Sequence, residues 1–338
     1  IGARTQHSLS LSGGSARSNY RVSADYRSAN GIDLYSGREE YGARVALNHT
    51  TKGGLITFSL NVSPRIAYRK NASWDVFRNA VEANPTTPIM DPKDPSLYYN
   101  FKGQAAGYNP LELLKKDKST GTTKLLDWDG TVKLNLLPLL LNKEDRQTLT
   151  TQLTFADHQY DNYNQWFRPS TSTLAINAGR EGEASQDYSK SAIRTLEWVT
   201  NYANSFGNHN FKVMAGYSYQ YEQYSGLNAA NKDFPNDALE DNNLGSGTYA
   251  KDEGELGMGS YKNDSKLISF FGRVSYDWKG RYMLTASLRH EGSSKFGEHH
   301  KWGNFPAISA GWRISDEAFM AGTKSWLTDL KQRGDFGI

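Results

Sequence analysis

The sequence predicts an all-β chain, the wall of a transmembrane antiparallel up-and-down β-barrel. Three observations predict it. Apolar and polar residues alternate strictly over many segments, the connections between segments alternate between short and long, and the segments outrun the strands of soluble proteins. The 20 Tyr, 8 Trp and 31 Gly among 338 residues agree, since that bias favours strands and turns over helices.

The alternation is clearest in four places. In 55–63, Ile56, Phe58, Leu60 and Val62 oppose Thr57, Ser59, Asn61 and Ser63. In 267–278, Ile268, Phe270, Val274, Tyr276 and Trp278 oppose Ser269, Arg273, Ser275 and Asp277. In 281–289, Tyr282, Leu284, Ala286 and Leu288 oppose Arg281, Thr285, Ser287 and Arg289, and in 306–314 Ile308, Ala310, Trp312 and Ile314 share a face. Successive side chains on a strand point to opposite sides, so each segment has one apolar and one polar surface. In a barrel spanning lipid, Phe58, Phe270, Leu284 and Trp312 face the lipid, while Arg273, Asp277 and Arg289 face the lumen.

About twelve strands are expected, at 7–13, 19–27, 40–50, 54–67, 124–137, 147–160, 189–203, 208–224, 265–278, 280–291, 303–315 and 328–338. Short connections fall at Gly14–Ser18, Thr51–Gly53, Pro138–Arg146, Asn204–Gly207 and Lys279; long ones occupy 28–39, 68–123, 161–188, 225–264 and 292–302. Short turns on one side and long loops on the other mark the outer-membrane type of barrel, long loops outward, and a Greek-key sandwich gives no such rule. The connection at 316–327 departs from it, being long on the short side. Several segments reach about 11–15 residues, against the roughly 9–11 that a tilted strand needs to cross hydrocarbon. Trp278 and Tyr282, flanking the Lys279-Gly280 turn, and Tyr20 and Tyr26, bracketing the second strand, sit where interfacial aromatic girdles lie.

Composition excludes other classes. The 39 Lys and Arg nearly balance the 36 Asp and Glu, and they are dispersed, so no nucleic-acid partner is expected. There is no Cys, which removes disulfides, thiolate catalysis and Cys-type zinc sites. The mean hydropathy of −0.69 and a longest apolar run of only Leu136–Leu141 rule out a membrane helix, which needs about 20 apolar residues. No charged segment, apolar core and cleavage site open the chain, so a signal peptide is absent or removed.

Candidate chemistry is sparse. His290, Glu291, Glu298, His299 and His300 straddle one hairpin, yet their spacing matches no zinc motif, and a solvated loop is the better reading. The glycines at 254, 257 and 259 lack the strand–glycine–helix context of a phosphate loop. No nucleophile motif or paired-carboxylate spacing stands out, so the chain is read as a non-enzyme with no cofactor and no metal. Tyr160, Tyr163, Trp166 and Phe167 cluster in one polar stretch, 160–170, read as a loop. Flat rings beside Asn, Gln and Arg suit stacking on a sugar or clamping a peptide, and packing of their own loop or against a lid partner is the plainer alternative. In 73–83, Trp74, Phe77 and Val81 at helical spacing, with Ser73 as N-cap, predict a short helix packing within the large loop.

The residues also resemble a known family. His7–Gly14 followed by Asn19-Tyr20, Ala83–Pro88 (ANPTTP) and Asn109-Pro110-Leu111 are similar to stretches of the SusC/RagA-type TonB-dependent transporters of Bacteroidetes. So are Gly272–Tyr276, Arg281–Arg289, Gly292–Gly297, Trp302–Pro306 and Ser309–Ser315, in the family's order. The resemblance spans essentially the whole chain. It implies a barrel of about 22 strands closed by a plug, coupling to TonB through an N-terminal region, a SusD-like lipoprotein lid, and import of oligosaccharides or peptides across the Gram-negative outer membrane. Residues 1–338 are accordingly expected to be part of such a barrel, lacking the plug, the TonB box and the C-terminal strands. Two unpaired edges would make such a piece unstable alone in lipid. A passive porin-type channel and a soluble glycan-binding β-sandwich are the alternatives.

Overall fold

The computed structural model describes residues 2–140, 147–254 and 257–338. Twelve strands, β1 to β12, form one antiparallel sheet in which every strand pairs with its neighbours in sequence. They are Arg4–Gly14, Ser18–Asn30, Gly37–Thr50, Ile56–Lys70, Lys118–Asn135, Gln147–Arg168, Glu183–Phe206, His209–Lys232, Met258–Trp278, Tyr282–Ser293, Trp302–Arg313 and Lys331–Gly337. A meander of this kind is an open stretch of up-and-down barrel, and a two-sheet sandwich is not what the chain forms.

Connections alternate as expected. The short side carries 15–17, 51–55, 207–208 and 279–281, and the long side carries 31–36, 71–117, 169–182, 233–257 and 294–301. Gly207 turns β7 into β8 at φ 57°, a left-handed conformation that favours glycine. The short turn expected at Pro138–Arg146 begins with a helical turn, Leu137–Leu140, and residues 141–146 lie outside the described residues. The connection from β11 to β12 holds two 3₁₀ turns, Ile314–Asp316 and Ala318–Thr323, which accounts for its length.

The main departure is strand length. β6, β7, β8 and β9 run for 22, 24, 24 and 21 residues, far into segments read as loops. Tyr160, Tyr163, Trp166 and Phe167 therefore stand on β6, not on a loop. Both faces of these strand ends carry mostly polar residues with scattered aromatics, so the alternation that reveals a strand disappears while the backbone pairing continues.

Two helices lie in the long connection 71–117: α1, Asp75–Glu82, and α2, Pro110–Lys115. The side chain of Asn109 caps α2 by accepting from the N–H groups of Leu111 and Glu112, with Pro110 at the first helical position. α1 has no side-chain cap, and Trp74 stands at its N-cap position where Ser73 was expected. Val76, Leu113 and Leu114 form a small core with Tyr35, Ala72 and Leu174, which binds loops 31–36, 71–117 and 169–182 into one cap. No helix among the described residues is long and apolar enough to cross a membrane.

Candidate functional site

The sheet has two chemically opposite faces. Residues paired across an antiparallel ladder share a side, and each of the eleven pairings keeps one register along its length, the β3–β4 ladder being interrupted only at Ala43 and Arg44 without a shift, so one choice of face fixes the others. Leu9, Val22, Leu47, Phe58, Leu60, Val132, Leu153, Trp198, Phe270, Leu284 and Ile308 share one face and are exposed. Trp312 joins them, half-buried in a stack on Tyr282. The opposite face is built from Ser, Thr, Asn, Arg and acidic residues. An exposed apolar face this wide on a soluble chain would be unusual.

Arg273, Asp277 and Arg289 lie on the polar face. Asp277 accepts from Asn210 Nδ2 at 2.8 Å, and Arg289 Nη2 donates to Ser269 Oγ at 2.8 Å while its Nε holds Glu291. The aromatic quartet is divided. Trp166 pairs with Ser119 and Ser185, and with Tyr160 it occupies the polar face, its ring beneath the Arg168 guanidinium at 4.9 Å. Tyr163 and Phe167 point the other way. Phe167, 4% exposed, packs with Ala184, Phe234 and Leu244 under the 233–257 connection, so it is a packing residue.

That connection is fastened to the outer side of the strand ends. Asp241 accepts from Gln165 Nε2 at 2.6 Å and Gln186 Nε2 at 3.2 Å, and Asp233 pairs with Arg180 at 3.0 Å. On the polar face, Arg168 holds Asp117 through Nη2 (2.7 Å) and Nε (3.1 Å) and holds Glu183 through Nη1 (3.1 Å). Lys232 approaches the same Glu183 at 3.4 Å. Burial pushes the Asp117 carboxyl above the ordinary aspartate range, against the pull of the Arg168 guanidinium. Glu112, buried in α2, accepts from the backbone N–H of Thr173 at 2.9 Å and ties the 71–117 and 169–182 connections together.

The histidine and glutamate group does not converge. His290 stacks on Trp302 and contacts Asn304, Glu291 points to the other face, and His299 and His300 are exposed in the turn. Among the described residues no cluster able to hold a metal forms. Gly259 belongs to β9, and the rest of that glycine stretch includes residues 255–256, outside the described residues. Asn109-Pro110-Leu111 stands out in the sequence, but α2 and the capping role of Asn109 were missed at that level, although Asn followed by Pro is a helix-start signal.

No family model matches the sequence. The chain is 27% identical over 345 residues to the TonB-dependent receptor P3 of Formosa agariphila, covering 99% of this chain and 33% of that protein. It is 27% identical over 369 residues to the TonB-dependent receptor SusC of Bacteroides thetaiotaomicron, again 99% and 33%. The chain thus spans about a third of the length of the curated relatives it matches. In structure it is similar to the RagAB peptide importer in its open-open state, with a TM-score of 0.77 and 18% identity over 98% of this chain and 36% of that one. That likeness establishes the fold, a stretch of antiparallel up-and-down β-barrel wall.

Proposed function

We propose that this chain, a relative of the SusC/RagA-type TonB-dependent receptors of the outer membrane, forms part of the wall of an energised importer. One observation carries the reading: a twelve-stranded meander whose exposed face is apolar and whose other face is polar. Lipid meets Phe58, Phe270, Leu284 and Trp312, and the water-filled interior meets Arg273, Asp277 and Arg289. Closure of the barrel satisfies the edge N–H and C=O groups of β1 and β12, each of which has one neighbour here.

The long connections lie outward and carry the partner. α1 turns Trp74 (94% exposed) and Val81 (86%) to solvent along with Phe77, and its buried side carries Val76 and Asn79 instead. The apolar stripe expected to pack inside the loop is therefore free, and a SusD-like lipoprotein lid is the partner proposed to cover it. The cargo is an oligosaccharide or a peptide, drawn past the polar face with energy delivered through TonB.

Uptake of labelled cargo by cells carrying the full-length receptor tests this. Energised import stops when an uncoupler collapses the proton-motive force. Uptake that continues unchanged makes the wall that of a passive channel.

A further inference from the structure

The polar face is not evenly charged. On β2, β3 and β4 it carries Arg21, Arg27, Arg38, Arg44, Arg65 and Arg69, no lysine, and only two carboxylates, Asp25 and Glu40. Six guanidiniums against two carboxylates leave four positive charges in excess on three adjacent strands. The next sector has the opposite sign, since β5 to β7 present Asp127, Asp129, Glu183, Asp187 and Glu197 on this face against Lys133 and Arg168.

The two carboxylates are already engaged. Glu40 is held by Arg38 at 2.8 Å and by Arg65 at 3.0 Å, and Asp25 lies 3.9 Å from Arg65. Among the described residues Arg21, Arg44 and Arg69 form no ion pair with a carboxylate, and Arg27, across the ladder from Glu40, acts on that shared carboxylate only at longer range than Arg38 and Arg65. Arg44 reaches only Ser63, and Arg69 is steered by the side-chain oxygens of Asn162 and Asn164 at 2.6 and 3.0 Å. The Nε atoms of Arg27 and Arg69 are buried without any acceptor. Arg38 and Arg69 stand directly opposite each other across the β3–β4 ladder, an arrangement of like charges that costs stability and that Glu40 offsets on the Arg38 side only. Buried donors left unmade are costly too.

We propose that this arginine sector binds the carboxylate groups of an acidic, uronate-bearing oligosaccharide. The inference rests on the import reading above and names its cargo class. Arginine, unlike lysine, offers a planar fork that matches a carboxylate through two parallel hydrogen bonds. A sugar chain fits better than a peptide because the polar face of these strands has no apolar pocket for side chains. Its apolar residues are the alanines Ala29, Ala46 and Ala67. Further along the same face, Tyr160 and Trp166 supply rings for stacking, with Ser, Thr and Asn side chains to meet hydroxyls.

The test is calorimetry on the full-length receptor with hexagalacturonate, its neutral methyl ester, maltohexaose and hexaglutamate. The acid form is expected to bind at least about tenfold tighter than the ester, with affinity falling as salt rises. The triple variant Arg21→Gln, Arg27→Gln, Arg44→Gln is expected to erase that preference while migrating on unheated gels like the parent. Equal affinity for acid and ester overturns the assignment, as does a preference surviving in the variant, which would give the arginines to another part of the receptor. Hexaglutamate binding as tightly as the uronate overturns it in favour of a peptide. If no probe binds, the cargo assignment falls while the import reading still answers to the uncoupler.

Discussion

The carboxylate of Glu317 accepts a hydrogen bond from the indole Nε1 of Trp312 at 3.0 Å. The Tyr282 hydroxyl donates to the same oxygen, and Arg281 Nη1 reaches the other at 3.0 Å. Tyr282 and Trp312 are nearly parallel, 6.5 Å apart, at the short-connection end of β10 and β11. One residue of the connection between β11 and β12 therefore sets the orientation of two stacked rings on the apolar face.

The hydrogen bonds from Tyr282 and Trp312 hold the Glu317 carboxyl below the usual glutamate range. A depressed folded-state value means that the stabilisation is complete above the unfolded value of about 4.3 and is lost as pH falls through the folded one. Glu317→Gln, which cannot ionise, is expected to flatten the acid limb of a stability-against-pH curve for the full-length receptor and to lower its urea midpoint near neutral pH. An acid limb identical to the parent's would remove Glu317 from this role.

Ile308 sits mid-strand on the apolar face between Ala286 and Phe336. Ile308→Arg places a charge against the hydrocarbon and is expected to cost about 2–4 kcal/mol. The neighbouring Ser309→Arg points to the polar face opposite Asp335 and is expected to be nearly neutral. Denaturant titration in vesicles separates them, and equal losses would contradict the assignment of faces.

Arg168 is the fastening of the large loop to the strand ends. Arg168→Ala leaves Asp117 and Glu183 facing each other in a poorly hydrated site, a loss of about 3 kcal/mol for the local structure. Limited proteolysis is expected to cut within 71–117 in this variant while the strands stay protected. Arg168→Lys, with no fork to grip both oxygens of Asp117, is expected to fall between.

Trp74→Ala with Val81→Ser tests the free stripe of α1. The pair is expected to lower recovery of the lid lipoprotein with the affinity-purified receptor and to leave its thermal stability unchanged, because neither side chain is packed. Undiminished recovery would place the lid elsewhere.

Much of this was legible in the sequence, for a definite reason. Where one face meets an apolar phase and the other water, as at Phe58 against Ser59, the alternation writes the strand and both faces into the residue order. Where both faces are wet the code is silent. Gln159–Arg168, Glu183–Lys190 and Met258–Asp264 continue their strands with no regular apolar alternation to mark them, isolated contacts such as Phe167 on Ala184 aside, so they read as loops. The stripe on α1 was visible, but periodicity says only that a face is apolar, not that this chain covers it.

The β6 aromatics show what that silence conceals, because the face of each ring follows from a register only the strand supplies. Tyr160 and Trp166 share the polar face with Asn162 and Asn164, whereas Phe167 is closed under the 233–257 connection. Tyr160→Ala with Trp166→Ala is therefore expected to weaken cargo binding roughly tenfold or more, the scale of losing stacking contacts worth about 1–2 kcal/mol. Phe167→Ala is expected to leave affinity near the parent's and to destabilise the strand ends by about 3–5 kcal/mol, as a buried aromatic leaves a cavity. Calorimetry with cargo and hydrogen exchange over 233–250 read the two effects separately. Affinity lost on Phe167→Ala and kept in the double variant would reverse the assignment.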